Sequence, residues 1–123
     1  MTETKLTNPK KYDLEDRTYQ FAKKVALFCN RLPRNRINIE YIAQLIRSSS
    51  SVGSNYIEAN EALSKKDFIM RIKICRKEAK ETVYWLRLIM DNNDSNFKQE
   101  ALTLEKEAIE LKKIFSTIID KST

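Results

Sequence analysis

The sequence predicts an all-α protein, an antiparallel up-down-up-down four-helix bundle. The 123-residue chain has one glycine and two prolines, so it offers little of the turn chemistry that a sheet needs. Apolar residues recur at alternating three- and four-residue steps in four long segments, which is the period of packed helices. Short polar connections separate these segments and favour antiparallel neighbours. We expect residues 13–121 to form a single bundle domain and residues 1–12 to form a flexible N-terminal arm.

Helix one is predicted from about Leu14 to Leu32, with Asp13 as its N-cap and Pro33 ending it. Helix two is predicted from about Ile39 to Ala62. We expect Asn38 to cap it, because asparagine is a favoured N-cap. The seam of helix one consists of Leu14, Thr18, Phe21, Val25, Phe28 and Leu32.

Capping and turn residues mark where the third and fourth helices begin. Ser64 and Asp67 resemble a capping box, so helix three should run from about Lys65 to Met90. A turn cluster at residues 91–95 precedes helix four, which is predicted from about Asn96 to Asp120. The core face of helix three should contain Phe68, Ile72, Cys75, Ala79, Val83, Leu86 and Met90, and that of helix four Phe97, Ala101, Leu104, Ala108, Leu111, Phe115 and Ile118.

Composition limits the functions to be considered. The net charge of +6 weakly favours polyanionic partners. No apolar run is long enough to span a bilayer, and the N-terminus lacks the apolar region of a signal peptide, so we expect no membrane partner and a cytoplasmic location. Cys29 and Cys75 fall on apolar helical faces, which predicts buried, reduced thiols. With no histidine and two cysteines, we expect neither a metal site nor a cofactor.

A serine-rich segment on helix two, residues 47–58, predicts a structural polar network. At 3.6 residues per turn, its small and carboxamide side chains fall within about a quarter of the helix circumference. We assign to the network Arg47, Ser48, Ser51, Asn55, Glu58 and Glu81. An alternative is a metal-dependent hydrolase or nuclease that uses Glu58 and Glu81. The set contains no evident pair of nucleophile and base, so we expect no catalytic residues and no enzymatic activity.

The sequence resembles a four-helix-bundle family whose members include proteins encoded by intervening sequences of large-subunit ribosomal RNA genes. It is also similar to the accessory variability proteins of diversity-generating retroelements. The resemblance covers residues 14 to 120 and implies a closed homo-oligomeric ring, commonly a pentamer, without enzymatic activity. The retroelement branch binds nucleic acid and a reverse transcriptase. Related members have Glu-Gly where this chain has Glu58-Ala59, which predicts an unbroken helix here. The resemblance rests on Phe21-Ala22, Leu32-Pro33, residues 44–48, Ser51-Val52, Asn55, Glu58-Ala59, Asp67-Phe68 and Glu81.

Helix three also presents a stripe of cations, which we call the basic stripe. Its members are Lys66, Lys73, Arg76, Lys77, Lys80 and Arg87. Four of them are spaced by seven residues and so stack on one face. A row of cations can follow a phosphate backbone, so we assign these residues to RNA or DNA binding. Three alternatives remain at this stage: an ordinary solvated face, another acidic partner, or a stripe that pairs with acids of helix four, namely Glu100, Glu105, Glu107 and Glu110.

A third face of helix three is apolar and points away from the predicted core. It consists of Met70, Ile74, Trp85 and Leu88, and we call it the outer apolar face. A helix with apolar groups on two sides packs on two neighbours, which favours a subunit contact, although a wide monomer core is the alternative. We therefore predict a non-enzymatic homo-oligomeric binding or scaffold protein, with nucleic acid as the leading partner. The alternative is a homo-oligomeric protein-interaction module, for example a reverse-transcriptase accessory protein, without direct nucleic-acid contact.

Overall fold

The computed structural model describes residues 9–123, with side chains from Leu14 onward. Four helices account for nearly all of this range, and it contains no strand, so the all-α prediction is confirmed. None of these helices has a stretch long and apolar enough to cross a bilayer. The elements are α1 (Pro9–Arg31), α2 (Arg36–Asn60), α3 (Lys65–Asp91), a short 3₁₀ turn (Ser95–Phe97) and α4 (Lys98–Ser122).

Neighbouring helices run in opposite directions, as in an up-down-up-down bundle. Residues that follow one another along one helix meet partners in reverse order on the next helix. The pairs are Arg47 with Glu81 and Asn55 with Arg71 between α2 and α3, Arg76 with Ser116 and Arg87 with Glu105 between α3 and α4, and Arg17 with Glu107 and Arg31 with Glu100 between α1 and α4.

Two predicted helix starts are corrected by the structure. Helix α1 begins at Pro9 rather than Leu14, so Asp13 lies within the helix and is not its cap. A proline suits this position because the first helical N–H has no intrahelical partner to lose. Residues 9–12 of the predicted arm thus belong to α1, whereas residues 1–8 lie outside the described part of the chain. The cap of α2 is Asn35, whose side chain accepts a hydrogen bond from the Asn38 N–H at 2.8 Å.

The start of α3 agrees with the sequence prediction. The Ser64 hydroxyl accepts a hydrogen bond from the Asp67 N–H at 3.1 Å and caps the helix. The other end of the connection is also close to its prediction, since α2 continues through Glu58 and Ala59 and ends at Asn60. Helices α2 and α3 are therefore joined by only a few residues, which places them side by side.

The core lies between the four helices along the predicted seams. Every predicted seam residue of α1 is buried, Thr18 included. On α3 the buried face is wider than predicted and includes Glu78, Thr82 and Ile89, and on α4 Ile119 is buried. The free thiols Cys29 and Cys75 are buried, as predicted. Burial raises the pKa of Cys29 to about 11 and that of Cys75 to about 12, so both thiols are protonated at neutral pH.

One end of the bundle is fastened by the buried side chain of Asn38. Its Nδ2 donates to the Pro33 carbonyl oxygen at 2.9 Å and to Asn93 Oδ1 at 2.8 Å. Its Oδ1 accepts from Asn92 and Asn93, each at 3.0 Å. Both donor hydrogens and both acceptor positions of the amide are thereby used. Asn38 thus does not cap α2. Its side chain instead joins the α1–α2 loop to the α3–α4 turn by hydrogen bonds.

Candidate nucleic-acid interface

The basic stripe runs along the outer side of α3. Lys66, Lys73 and Lys80 are exposed and repeat every seven residues, so they lie on one row. At about 1.5 Å of rise per residue, the stripe extends roughly 30 Å from Lys66 to Arg87. Among the described residues these three lysines have no ion pair, which leaves their ammonium groups available to an external anion.

Two of the four acids within α3 lie toward α2. Glu78 and Glu81 point toward α2, where the Arg47 guanidinium lies 3.2 Å from Glu78 Oε1 and also binds Glu81. Their negative charges are therefore neutralised by a cation of α2. The consequence is that α3 has an ion-paired side against α2, whereas Lys66, Lys73 and Lys80 lie on a row that has no ion pairs among the described residues.

Only part of the predicted pairing with α4 occurs. The Arg87 Nε lies 2.7 Å from Glu105 Oε2, so this residue has a partner within the bundle. The other acids of α4 considered above lie against different cations, Glu100 with Arg31, Glu107 with Arg17 and Glu110 with Lys113. Helix α4 thus neutralises Arg87 at one end of the basic stripe, and its other acids named above pair with cations outside the stripe.

The remaining two members of the stripe have weak polar contacts. Arg76 Nη1 donates to the Ser116 hydroxyl at 3.4 Å. The Lys77 side chain is 70% exposed, and its Nζ lies 4.0 Å from Glu78 Oε2. An exposed pair at this distance contributes little, so Lys77 keeps most of its capacity to bind another anion.

A further cation, Lys112, was missed in the sequence and extends the stripe onto α4. It lies between Glu105 and Ser116 at helical steps of seven and four residues, on the row of α4 that contacts α3. The signal could not be read from the sequence, because the side of α4 that faces α3 was unknown. Lys112 therefore lies on the same side of α4 as the residues that meet Arg76 and Arg87.

The opposite side of α3 forms a polar seam with α2, which we define as Arg47, Ser48, Glu78, Glu81, Thr82 and Trp85. Trp85 Nε1 donates to Glu81 Oε2 at 3.1 Å. Burial acts to raise the pKa of Glu81, but hydrogen bonds from Trp85 and Arg47 outweigh it and hold that pKa below its usual value. The hydrogen bond to Glu81 raises the pKa of the Arg47 guanidinium above its usual value. Both groups are therefore ionised at neutral pH.

The structure unites part of the predicted polar network and separates the rest. Arg47, Ser48 and Glu81 belong to the polar seam. Asn55 lies further along α2, where its Oδ1 accepts from Arg71 Nη1 at 3.0 Å and its Nδ2 donates to the Ser51 carbonyl oxygen at 2.9 Å. Sequence reasoning missed Glu78, Thr82 and Arg71. All three lie at the edge of the core face of α3, where polar residues are expected to be solvated unless a partner helix meets them.

Glu58 lies outside the network, which corrects the sequence assignment. It is exposed, and with Arg71 and Asp67 it lines a shallow groove beside the α2–α3 turn. Glu81 lies ten residues beyond Arg71 on α3, about 15 Å away along the helix axis. Among the described residues no group of three or more acidic or cysteine side chains is placed to hold a metal ion. The two carboxylates therefore do not form a common centre.

The outer apolar face lies between the polar seam and the basic stripe. Met70 is 50% exposed, and Ile74 and Leu88 are half-buried. Trp85 is more firmly placed, because its ring packs 5.9 Å from Tyr41 on α2 and against the core. The face therefore splits into an anchored part around Trp85, where Leu88 also lies, and an open part at Met70 and Ile74, one turn apart at the other end of the helix.

The fold and the site define a class of protein: an all-α bundle with an ion-paired seam on one side of its third helix and unpaired lysines on the other. Residues 10–117 match the family model of the 23S rRNA-intervening sequence protein. The chain belongs to this family, as its resemblance predicted.

A solved structure supports the same relationship. It is described as a protein with unknown function from the S23 ribosomal protein family of Bacteroides thetaiotaomicron. It is 29% identical to this chain, with a TM-score of 0.76 over 86% of this chain and 97% of its own. A comparison with curated proteins gives no match.

Proposed function

We propose that this protein is a non-enzymatic, homo-oligomeric scaffold that binds nucleic acid through the basic stripe of α3. The observation that carries the proposal is the separation of charge on that helix. Glu78 and Glu81 are paired with Arg47 on one side, whereas Lys66, Lys73 and Lys80 are exposed and without ion pairs among the described residues on the other. Such a row attracts a phosphate backbone and releases its counterions.

The family description names an intervening sequence of 23S rRNA and states no binding partner, so the nucleic-acid part of the proposal is supported by the charge of α3 alone. The non-enzymatic part of the proposal is supported by the state of the carboxylates in the polar seam. Glu81 accepts hydrogen bonds from Arg47 and Trp85, so it is a poor candidate for a general base.

The homo-oligomeric part of the proposal is supported by the open part of the outer apolar face. A half-exposed Met70 beside Ile74 offers the kind of apolar contact found in subunit interfaces. The same face supports the second candidate function, a homo-oligomeric protein-interaction module with a protein partner such as a reverse transcriptase. In that case the basic stripe is a solvated face.

The two functions are separated by a fluorescence-anisotropy titration with a labelled oligonucleotide. The variant Lys66→Gln/Lys73→Gln/Lys80→Gln should bind at least about ten-fold more weakly than the unchanged protein at low salt, because three phosphate contacts are removed. The control Lys23→Gln/Lys24→Gln/Lys121→Gln removes the same charge from exposed positions on α1 and at the end of α4. Equal weakening by both variants, or no binding by the unchanged protein, contradicts the proposal.

A further inference from the structure

The basic stripe encloses one exposed aromatic side chain, Tyr84. Tyr84 is 58% exposed. Lys80 lies four residues before it and Arg87 three residues after it, so both are its neighbours on the helix surface. Lys77 lies two turns away on the same side. Tyr84 therefore lies beside Lys80 and Arg87, and also beside Glu81, whose charge is paired with Arg47; its ring is not part of the core.

The ring of Tyr84 is also held in place. It packs edge-on against Trp85, with ring centroids 5.1 Å apart and an interplanar angle of 76°. Trp85 is in turn fixed by its hydrogen bond to Glu81 at 3.1 Å and by its packing against Tyr41. An exposed ring that rests on an anchored neighbour loses little conformational entropy when a ligand covers it.

This arrangement matches the two chemical parts of a single nucleic-acid strand. The lysines suit the phosphates, and an exposed aromatic face suits an unpaired base, since every base has a face that can stack on such a ring. In a duplex the base faces are covered by their neighbours, so a duplex can use the lysines and not the ring. An acidic protein would pair with the cations, but its carboxylates would not stack on the ring.

We propose that Tyr84 stacks on an unpaired base, so that the basic stripe binds single-stranded RNA or DNA in preference to duplex. The proposal rests on the nucleic-acid function proposed above and specifies the form of nucleic acid. The backbone contacts of the lysines do not depend on sequence, and stacking tolerates every base. Binding should therefore show a preference for strandedness and little preference for sequence.

The test compares the unchanged protein with Tyr84→Ala and with Tyr84→Phe, which keeps the ring. The probes are labelled single-stranded oligonucleotides of DNA and of RNA, the corresponding duplexes, and an abasic DNA strand of equal length. Tyr84→Ala should weaken single-strand binding about ten-fold and leave duplex and abasic binding unchanged within about two-fold. Tyr84→Phe should behave as the unchanged protein. The DNA and RNA arms show whether the sugar matters to the strand that is bound.

The outcomes also distinguish this proposal from the one on which it rests. If Tyr84→Ala binds single strands as tightly as the unchanged protein, or weakens single strand and duplex alike, the stacking proposal is overturned while nucleic-acid binding stands. If the unchanged protein binds no oligonucleotide at low salt and an acidic polypeptide instead, both proposals fail. Circular dichroism of each variant serves as the folding control. Tyr84→Leu is a second variant without the ring, and its side chain is closer in volume to tyrosine than that of Tyr84→Ala.

Discussion

The hydroxyls of Ser48 on α2 and Thr82 on α3 lie 2.9 Å apart in the middle of the bundle, and both residues are fully buried. Each hydroxyl carries one hydrogen, so one of them donates to the other. The carbonyl oxygens of Leu45 and Glu78, at 3.3 Å from Ser48 Oγ and 2.8 Å from Thr82 Oγ1, accept whichever hydrogen remains. The pair fixes the spacing between the two helices that carry the polar seam.

The small size of Ser48 is therefore essential to the packing of α2 against α3. Ser48→Leu should lower the free energy of unfolding by about 1–3 kcal/mol, because it forces extra volume into a filled interface and removes a partner of Thr82. Ser50→Leu is the matched control, since Ser50 is exposed on the same helix. Chemical denaturation measures both. Equal stability changes in the two variants would show that the close approach at Ser48 has no energetic weight.

Arg47 should contribute to stability through the buried carboxylate of Glu78. The Glu78 side chain is 9% exposed and that of Arg47 is 45% exposed, so the pair is partly screened by water. Arg47→Met should cost about 1–3 kcal/mol, because it leaves this carboxylate with only the exposed Lys77 ammonium, at 4.0 Å, as a cation. Adding Glu78→Gln to Arg47→Met should recover part of the loss, as measured by a double-mutant cycle.

The control for Arg47 is Arg31→Met, which breaks the pair with Glu100. Both partners of that pair are exposed, at 51% and 42%, so its removal should change stability by less than about 0.5 kcal/mol. A loss at Arg31 as large as that at Arg47 would contradict the assignment of a structural role to the polar seam.

The polar seam should also make stability depend on pH in the acid range. The pKa of Glu81 is lowered in the folded protein from a usual value of 4.5, so the folded state holds the proton less strongly than the unfolded state. This contribution is present above the unfolded pKa and is lost as pH falls through the folded pKa. Glu81→Gln should be less stable than the unchanged protein near neutral pH, and the difference should shrink between about pH 5 and about pH 3. Thermal unfolding at several pH values measures it, and a constant difference would contradict the prediction.

Assembly is best tested at Met70. A Trp85→Glu variant would remove the contacts of Trp85 with Tyr41 and Glu81 and so confuse folding with association. Met70→Glu changes a half-exposed side chain and should dissociate the oligomer, for which we predict a pentamer, by placing a charge in an apolar contact. Ile57→Glu is the control, since Ile57 is 51% exposed on α2. Light scattering that gives a monomer for the unchanged protein, or an unchanged mass for Met70→Glu, would contradict the prediction.

The fold was readable from the sequence because its signals are local. The heptad positions of α1 and the Ser64–Asp67 cap each depend on residues within a few positions of one another. The roles of Asn38 and Glu78 could not be predicted from the sequence, because their partners are far away along the chain. Asn38 meets partners 54 and 55 residues away, and Glu78 meets Arg47 at a separation of 31 residues. Asn35 and Asn38 are equally good caps by type, and only the burial of Asn38 decides between them.

The candidate site was readable in part. A spacing of seven residues places Lys66, Lys73 and Lys80 on one row of any straight helix, so their common face follows from the sequence. Which cations are neutralised depends on the neighbouring helix, and this separates Arg87, paired with Glu105, from the three lysines. The addition of Lys112 and the exclusion of Glu58 likewise required the arrangement of the helices.

The salt dependence of oligonucleotide binding tests the central claim most directly. For the unchanged protein, the logarithm of the binding constant should fall linearly with the logarithm of salt concentration, with a slope proportional to the number of phosphates contacted. In Lys66→Gln/Lys73→Gln/Lys80→Gln the slope should be smaller by about 0.7–0.9 for each lost contact, or roughly 2–3 in total. In the Lys23→Gln/Lys24→Gln/Lys121→Gln control it should be unchanged. An identical slope for the stripe variant and the unchanged protein would show that these lysines do not contact nucleic acid.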